Sequence, residues 1–441
     1  MPTTASSQIG QIASMRRVHE AFQWLHLHER QIMLWQFELV SIPAPPFAER
    51  ARAEWLLERF RDLGLASPHI DPAGNVLAVL PCRRPPSAVL PAEPLAGTGQ
   101  LILLSAHIDT VFPATTPLDP QLEGTRLTAP GACDNGAGVA GLLALAAALT
   151  RSSVQPDCDI VFAGNVGEEG EGDLRGVRHI YEHAAWSSRI LGHLVLDGAG
   201  HEVAVTGALG SKRFEVVLHG SGGHSWTDAG RPNPVTALCA AVAHMSAPRS
   251  LSLSALELAS TPAHPGNGTA AKRSAWNVGT IEGGASVNSI PEQARARFDL
   301  RSTDPEHLLL LEVDLYRAVE DAVLAANSTV EAQAHRGHAL RFTIDAIGRR
   351  PAATLGSDAR ILALLRGVDR HLNLRTDCRT ASTDANLPLS LGVEALSMGA
   401  GGEGGGIHTR AEWYDARGRD LGLRRVLLLL LALAGESEDP A

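Results

Sequence analysis

The feature that most limits the fold is a series of short apolar runs, each ending in a turn of glycine and charged residues. Leu101–Ser105 leads into His107-Ile108-Asp109, Asp159–Ala163 into Gly167-Glu168-Glu169-Gly170, and Leu194–Leu196 into Asp197-Gly198. Short apolar runs bounded by Gly and Pro are expected for strands of a buried sheet. Ala137–Leu149, lying between two of them, is helical in its Ala and Leu content. This alternation predicts a layered α/β domain around a central mixed sheet.

The pattern changes near Gly207. Arg213–His219 and Ala294–Arg301 alternate as strands, Pro234–Met245 and Pro305–Ala325 read as helices, and Thr329–Ala334 is again strand-like. The order suits a small inserted α+β domain. The expected division is therefore a catalytic domain at 1–207 and 346–441 and an inserted domain at 208–345. Before the first strand, Ser14–Gly64 reads as two helices separated by the prolines of Ile42-Pro43-Ala44-Pro45-Pro46.

Composition removes several function classes. Net charge is −10 with no long basic run, which disfavours nucleic acid as a partner. The only lysines, Lys212 and Lys272, do not follow a phosphate-cradling glycine loop. Five cysteines, Cys82, Cys133, Cys158, Cys239 and Cys378, are scattered without a C-x-x-C pair, arguing against a disulfide scaffold and for a reducing, cytoplasmic setting. The apolar run Val426–Ala434 is half of the ~18 residues a membrane span needs, so no membrane association is expected.

The charged turns carry the chemistry. His107 and Asp109 alternate to the same side of an extended chain, so the carboxylate can orient an imidazole that binds metal; a strand-end histidine without a ligand role is the plain alternative. Asp134, in Gly131-Ala132-Cys133-Asp134-Asn135-Gly136, could be a ligand or a helix N-cap. Gly136-x-Gly138-x-x-Gly141 also matches a dinucleotide fingerprint, although no apolar strand leads directly into it. Glu168 and Glu169 are either a cation site with a neighbouring base or a solvated acidic turn continued by Glu171 and Asp173. With Asp197 and His408, two histidines and three carboxylates make a nitrogen and oxygen donor set suited to two divalent metals, zinc above all.

In this order the chain resembles the cocatalytic-zinc metallopeptidase and deacylase family of carboxypeptidase G, peptidase T, acetylornithine deacetylase and succinyl-diaminopimelate desuccinylase. The resemblance runs through SIPAPPFAERARA (41–53), AHIDTVFP (106–113), PGACDNGAGVAG (130–141), GEEGEGDLRG (167–176), LDGAG (196–200), GSGGHSW (220–226), VNSIPEQARARFDLR (287–301) and GGIHTRAEWYD (405–415). It implies His107 and Asp197 on one zinc, Glu169 and His408 on the other, and Asp134 bridging, with Co2+ or Mn2+ as substitutes. It further implies Asp109 behind His107, Glu168 as general base, and a cis peptide after Asp134. The inserted domain resembles the family's lid, which mediates dimerisation. There His224 would stabilise an oxyanion, often across the dimer, and Asn288 and Arg301 would hold the substrate, unless Arg301 is instead ion-paired with Asp299 or Asp304. The second motif is more acidic than in many relatives, and His201 follows the Asp197 strand closely.

The expected activity is hydrolysis of a di- or tripeptide amide bond by a homodimer, by metal-activated water with a Glu base. An N-acyl-amino-acid deacylase is the alternative within the family. A catalytically silent, peptide-binding dimer is the alternative of another class, and a nicotinamide enzyme is a third.

Overall fold

Residues 101–107, 159–165 and 190–196 form three neighbouring parallel strands with almost every position buried. That burial is what continuous apolar runs require when helices cover both faces of a sheet. The computed structural model describes residues 2–83, 99–246, 272–329 and 337–435. The chain divides into two units, Met1–Ala208 with Thr354–Ala441, and Leu209–Ala353.

The first unit is built on a nine-stranded mixed sheet. Its order begins Ala66–Ile70, Val76–Leu80, Asp159–Asn165, Leu101–His107, Ile190–Leu196, Ala395–Met398 and Val203–Ala208. Helix Gly136–Arg151 is buried from Gly136 to Leu149, and the C-terminal helix Arg419–Ala434 buries nearly its whole length. Of its two fully buried basic groups, Arg425 donates to Asp369 at 2.9 Å and Arg419 to the Tyr414 hydroxyl at 2.8 Å. Among the described residues, no helix is long and apolar enough to cross a membrane.

Two sequence expectations change here. The N-terminal segment forms three helices before the prolines, Pro2–Ser14, Arg16–Leu27 and Glu29–Val40, and Arg50–Asp62 after them. The extra breaks, at Met15 in extended backbone and at His28, carry neither Gly nor Pro, so composition gave no sign of them. The dinucleotide fingerprint also finds another explanation. A Cβ on Gly138 would lie 2.1 Å from Asn135 Oδ1 and 2.7 Å from the Leu196 carbonyl, so this glycine permits close packing of helix on strand.

A polar chain crosses the core of this sheet. His193, wholly buried, is bonded at Nε2 to the Ser105 hydroxyl at 2.8 Å and at Nδ1 to the Tyr181 hydroxyl at 3.1 Å. Burial pushes its pKa down from 6.5 to about 3. The unfolded chain therefore takes up this proton first as pH falls: stability is full above pH 6.5 and declines through the window down to about 3. Between about pH 7 and about pH 5, His193 should account for a loss of about 2 kcal/mol. Urea unfolding at both pH values should show a shallower dependence for His193→Gln; equal slopes would refute the assignment.

The second unit is a four-stranded antiparallel sheet in the order Ser274–Gly283, Gln293–Ser302, Gly210–His219, Arg341–Arg350. Alternation sends Phe214, Val216, Leu218, Ala296, Phe298 and Leu300 into a core with helices Pro234–Ser246 and Pro305–Asn327. The opposite positions carry Arg213, Glu215, Arg297, Asp299 and Arg301. Asp304 caps the longer helix by accepting from the Glu306 and His307 amides at 3.0 Å. The expected strand at Thr329–Ala334 lies, after Thr329, outside the described residues. The return strand is Arg341–Arg350, within the unit Leu209–Ala353.

Candidate metal centre

Strand register decides which side chains meet. His107 ends its strand opposite Asn165, three residues before Glu168, and Ser105 stands opposite Val195, so two residues further His107 is level with Asp197. One sheet edge thus delivers a histidine and three carboxylates, as expected where parallel strands end.

Asp134 arrives on the turn before helix Gly136–Arg151. The N-cap is its neighbour Asn135, whose Oδ1 accepts from the Gly138 and Gly198 amides at 3.0 Å. This leaves the Asp134 carboxylate for the site. The Asp134–Asn135 peptide is cis. His408 follows Gly406 in the loop between the short strands Glu403–Gly405 and Trp413–Asp415. Trp413 pairs with Thr128, so this loop lies against the chain leading to Asp134.

Asp134 stands between the two histidines. Its Oδ1 is 3.0 Å from His107 Nε2, and its Oδ2 is 3.1 Å from His408 Nε2. His408 Nε2 is also 3.1 Å from Glu169 Oε1, and His107 Nε2 is 3.9 Å from Asp197 Oδ1. Ligand atoms of His107, Asp134 and Glu169 all fall within 4.8 Å of one another.

The electrostatics call for cations. Asp134 Oδ1 is buried without a hydrogen-bonded partner although His107 Nε2 is 3.0 Å away, a close contact lacking hydrogen-bond alignment. Burial, followed by the charges of Asp134 and Glu168, pushes Glu169 up to about 8. His408 is drawn up to about 9, first by its bond to Asp134 and against burial. Burial alone would lower His107, but Asp109, Asp134 and Asp197 raise it well above the usual value. A nitrogen and oxygen donor set this crowded fits divalent metal better than it fits protons. Glu168 and Glu169 are 6% and 7% exposed, so the solvated-turn alternative holds only for the exposed Glu171.

Asp109 does more than stand behind His107. Its Oδ1 and Oδ2 accept from the amides of Glu168 at 3.0 Å and Glu169 at 2.8 Å, fixing the paired-glutamate turn. His107 Nδ1 lies 3.2 Å from the Asp109 main-chain carbonyl and 3.6 Å from its carboxylate. With Nδ1 as the donor, Nε2 turns its lone pair toward Asp134 and Asp197.

Three buried groups escaped the sequence reading. Glu412, wholly buried, accepts from the amides of Cys133 and Asp134 at 2.7 Å and Gly131 at 3.1 Å, gripping the turn that carries Asp134. Arg52 donates to the carbonyls of Ile42 at 2.8 Å and Ile108 at 2.9 Å; burial lowers its pKa to about 10 against the charges of Asp109 and Glu412. Asp384 accepts from Asn165 Nδ2 at 2.7 Å, and burial, then the Glu168 charge, raises it well above the carboxylate range. No local pattern in the sequence marks any of the three: Arg52 lies among other charged residues in AERARAE (48–54), Glu412 stands in TRAEWYD (409–415) and Asp384 in TASTDANL (380–387).

The other candidates lie in the Leu209–Ala353 unit. His224 is exposed; its amide donates to Asp228 Oδ2 at 2.7 Å, while its Nδ1 accepts from the Trp226 amide at 3.1 Å. Asn288 accepts through its carbonyl from the Ser225 amide at 3.0 Å, which ties it to the His224 loop. Arg301 donates to Asp299 at 2.7 Å, and Asp304 is taken by Lys272 at 2.7 Å, so of the two ion pairs open to Arg301 the first is formed.

Comparison with known proteins places these observations. A probable carboxypeptidase of Neosartorya fischeri is 31% identical over 235 residues, 51% of this chain and 50% of that protein; the chain thus matches about half the length of such curated relatives. Aminopeptidase PepT from Bacillus cereus superposes with a TM-score of 0.67 at 17% identity, covering 92% of this chain and 99% of that one. A dinuclear metal-binding peptidase of the M20 family from Bacillus subtilis superposes with a TM-score of 0.61 at 15% identity, covering 93% and 99%. These structures share its fold, a mixed α/β sheet domain with a separate antiparallel sheet unit. Residues 103–432 match peptidase family M20/M25/M40 along their whole length, and the chain belongs to that family.

Proposed function

We propose that the chain hydrolyses amide bonds of small peptides, di- or tripeptides first, at a dinuclear metal centre. The observation that carries this reading is the Asp134 carboxylate, with one oxygen beside each histidine and Oδ1 left without a hydrogen bond. His107 and Asp197 would hold one divalent cation, Glu169 and His408 the other, and Asp134 both; zinc suits these donors best, with cobalt or manganese as substitutes. Cations there lower the pKa of water and polarise the scissile carbonyl.

Glu168, buried beside Glu169 but free of ligand duty in this scheme, accepts the proton of the attacking water and returns it to the leaving amine. With Nδ1 of His224 accepting an amide, the ring proton sits on Nε2, the donor an oxyanion needs. Asn288, next to that loop, and Arg301 bind the substrate, Arg301 exchanging Asp299 for the substrate's carboxylate. The Leu209–Ala353 unit dimerises, bringing His224 to a partner chain, and the protein works in the cytoplasm. The second reading, an N-acyl-amino-acid deacylase, uses the same groups.

Metal analysis of the purified protein with a panel of dipeptides, tripeptides, N-acetyl and N-succinyl amino acids tests the proposal. Metal-dependent cleavage of the peptides supports it, cleavage of acyl amino acids alone shifts it to the second reading, and a protein that binds no metal overturns both.

Glu412→Gln should weaken metal binding by about 10- to 100-fold, because a carboxamide must turn one N–H group toward main-chain N–H donors. Competition with a metal-binding dye measures this; unchanged affinity would remove Glu412 from the positioning of Asp134. His224→Ala should lower kcat by about 10²- to 10³-fold. Mixed with Glu168→Ala protein, it should regain activity once mass measurement shows mixed dimers, and mixed dimers without recovery would rule out action in the partner's site.

A further inference from the structure

The cysteines are dispersed in sequence, but the sheet brings two of them together. Val76–Leu80 pairs antiparallel with Asp159–Asn165, and Leu80 stands opposite Ile160. Carried two residues further, this register sets Cys82 opposite Cys158. The two chains remain side by side there: the Cys82 amide donates to Asp159 Oδ1 at 2.8 Å, and just past the pair, where the register slips by one residue, the Arg83 amide donates to the Pro156 carbonyl at 2.7 Å. Directly opposed residues of antiparallel strands have Cα atoms about 4.5–5.5 Å apart. A disulfide spans about 4.4–6.8 Å between Cα atoms. Both residues are half-buried and neither is in a disulfide.

We propose that Cys82 and Cys158 are an oxidisable pair, a site at which a peroxide closes a cross-strand disulfide. Cys158 stands at the start of the strand whose far end, Asn165, leads to Glu168 and Glu169. The pair is therefore about 20 Å from the metal centre along the strand, and the proposal is independent of the hydrolase reading.

The reaction begins at Cys82. Burial, then the charges of Asp159 and Cys82, pushes the Cys158 thiol up to about 12, which keeps it protonated and slow to attack an oxidant. The Cys82 sulfur attacks the peroxide, the O–O bond breaks, and one water leaves, giving a sulfenic acid. The Cys158 sulfur then attacks the Cys82 sulfur. The S–O bond breaks, the S–S bond forms, and the hydroxyl departs with the Cys158 proton as a second water. The peroxide has taken two electrons from the two thiols. Opposed placement compensates for the low acidity of Cys158, since the second step is intramolecular.

The test treats the reduced full-length protein with about one equivalent of hydrogen peroxide and maps non-reduced peptides by mass. The expected product is a peptide linking Cys82 to Cys158, lighter by two hydrogens than the separate thiols and separated again by dithiothreitol. In Cys158→Ser protein the sulfenic acid should persist on Cys82 and be trapped by dimedone. If oxidised protein carries its modification on Cys133, Cys239 or Cys378 while Cys82 and Cys158 stay reduced, or links either of the pair elsewhere, the proposal is wrong. The linked peptide is read on the parent protein, so a serine variant that fails to fold does not protect the idea.

Discussion

Glu168→Gln is expected to leave the metal content of the protein unchanged and to lower kcat by about two to four orders of magnitude. The substitution keeps the size and the main chain of the turn, whose amides at 168 and 169 remain bound to Asp109. It removes only the ability to accept a proton. Glu169→Gln, one residue away, should behave differently, because Glu169 Oε1 is the atom 3.1 Å from His408 Nε2. That variant should lose metal as well as activity. Paired metal analysis and steady-state kinetics on the two proteins separate the roles, and a Glu168→Gln enzyme as active as the parent would remove the general base from the mechanism.

The proposed division of labour between the two glutamates also bears on what a sequence can and cannot disclose. His107, Glu169, Asp197 and His408 could be named because each closes an apolar or glycine-rich run, a pattern visible along the chain. Their meeting depends on strand register, with Asn165 opposite His107, and on the Trp413–Thr128 pairing, neither of which has a sequence period. Glu412 was invisible for a different reason. Its carboxylate is consumed by three main-chain amides, so its partners have no characteristic side chains to search for. Asp384 and Arg52 likewise act through Asn165 and through main-chain carbonyls. The helix breaks at Met15 and His28 were missed because local backbone geometry, rather than a helix-breaking residue, ends those helices. The scattered cysteines suggested no pairing because 82 and 158 become neighbours only through the antiparallel register.

The same geometry yields a prediction of metal stoichiometry. Among the described residues, Asp134 is the one carboxylate with oxygens beside both His107 and His408, at 3.0 and 3.1 Å, so Asp134→Ala should deprive both cations of a ligand at once. The protein should bind essentially no metal at concentrations that saturate the parent, and hydrolysis should fall to background. His408→Ala removes a ligand from one position only, and Asp197→Ala from the other. Each of these should keep about one of the two metals, because three donors remain on the untouched side when Asp134 is counted with its histidine and carboxylate. Equilibrium dialysis followed by elemental analysis reads the three proteins on one scale. Two metals retained by Asp134→Ala, or complete loss in both His408→Ala and Asp197→Ala, would show that Asp134 does not bridge. Thermal unfolding of each metal-free variant beside the metal-free parent guards the interpretation. Burial alone would raise Asp134, but His107 and His408 hold it below the usual carboxylate range, so removing it should lower the stability of the metal-free fold without unfolding it. A metal-free Asp134→Ala protein that has lost the parent's circular dichroism and its cooperative unfolding transition would mean that the lost binding reflects a damaged turn rather than a missing bridge.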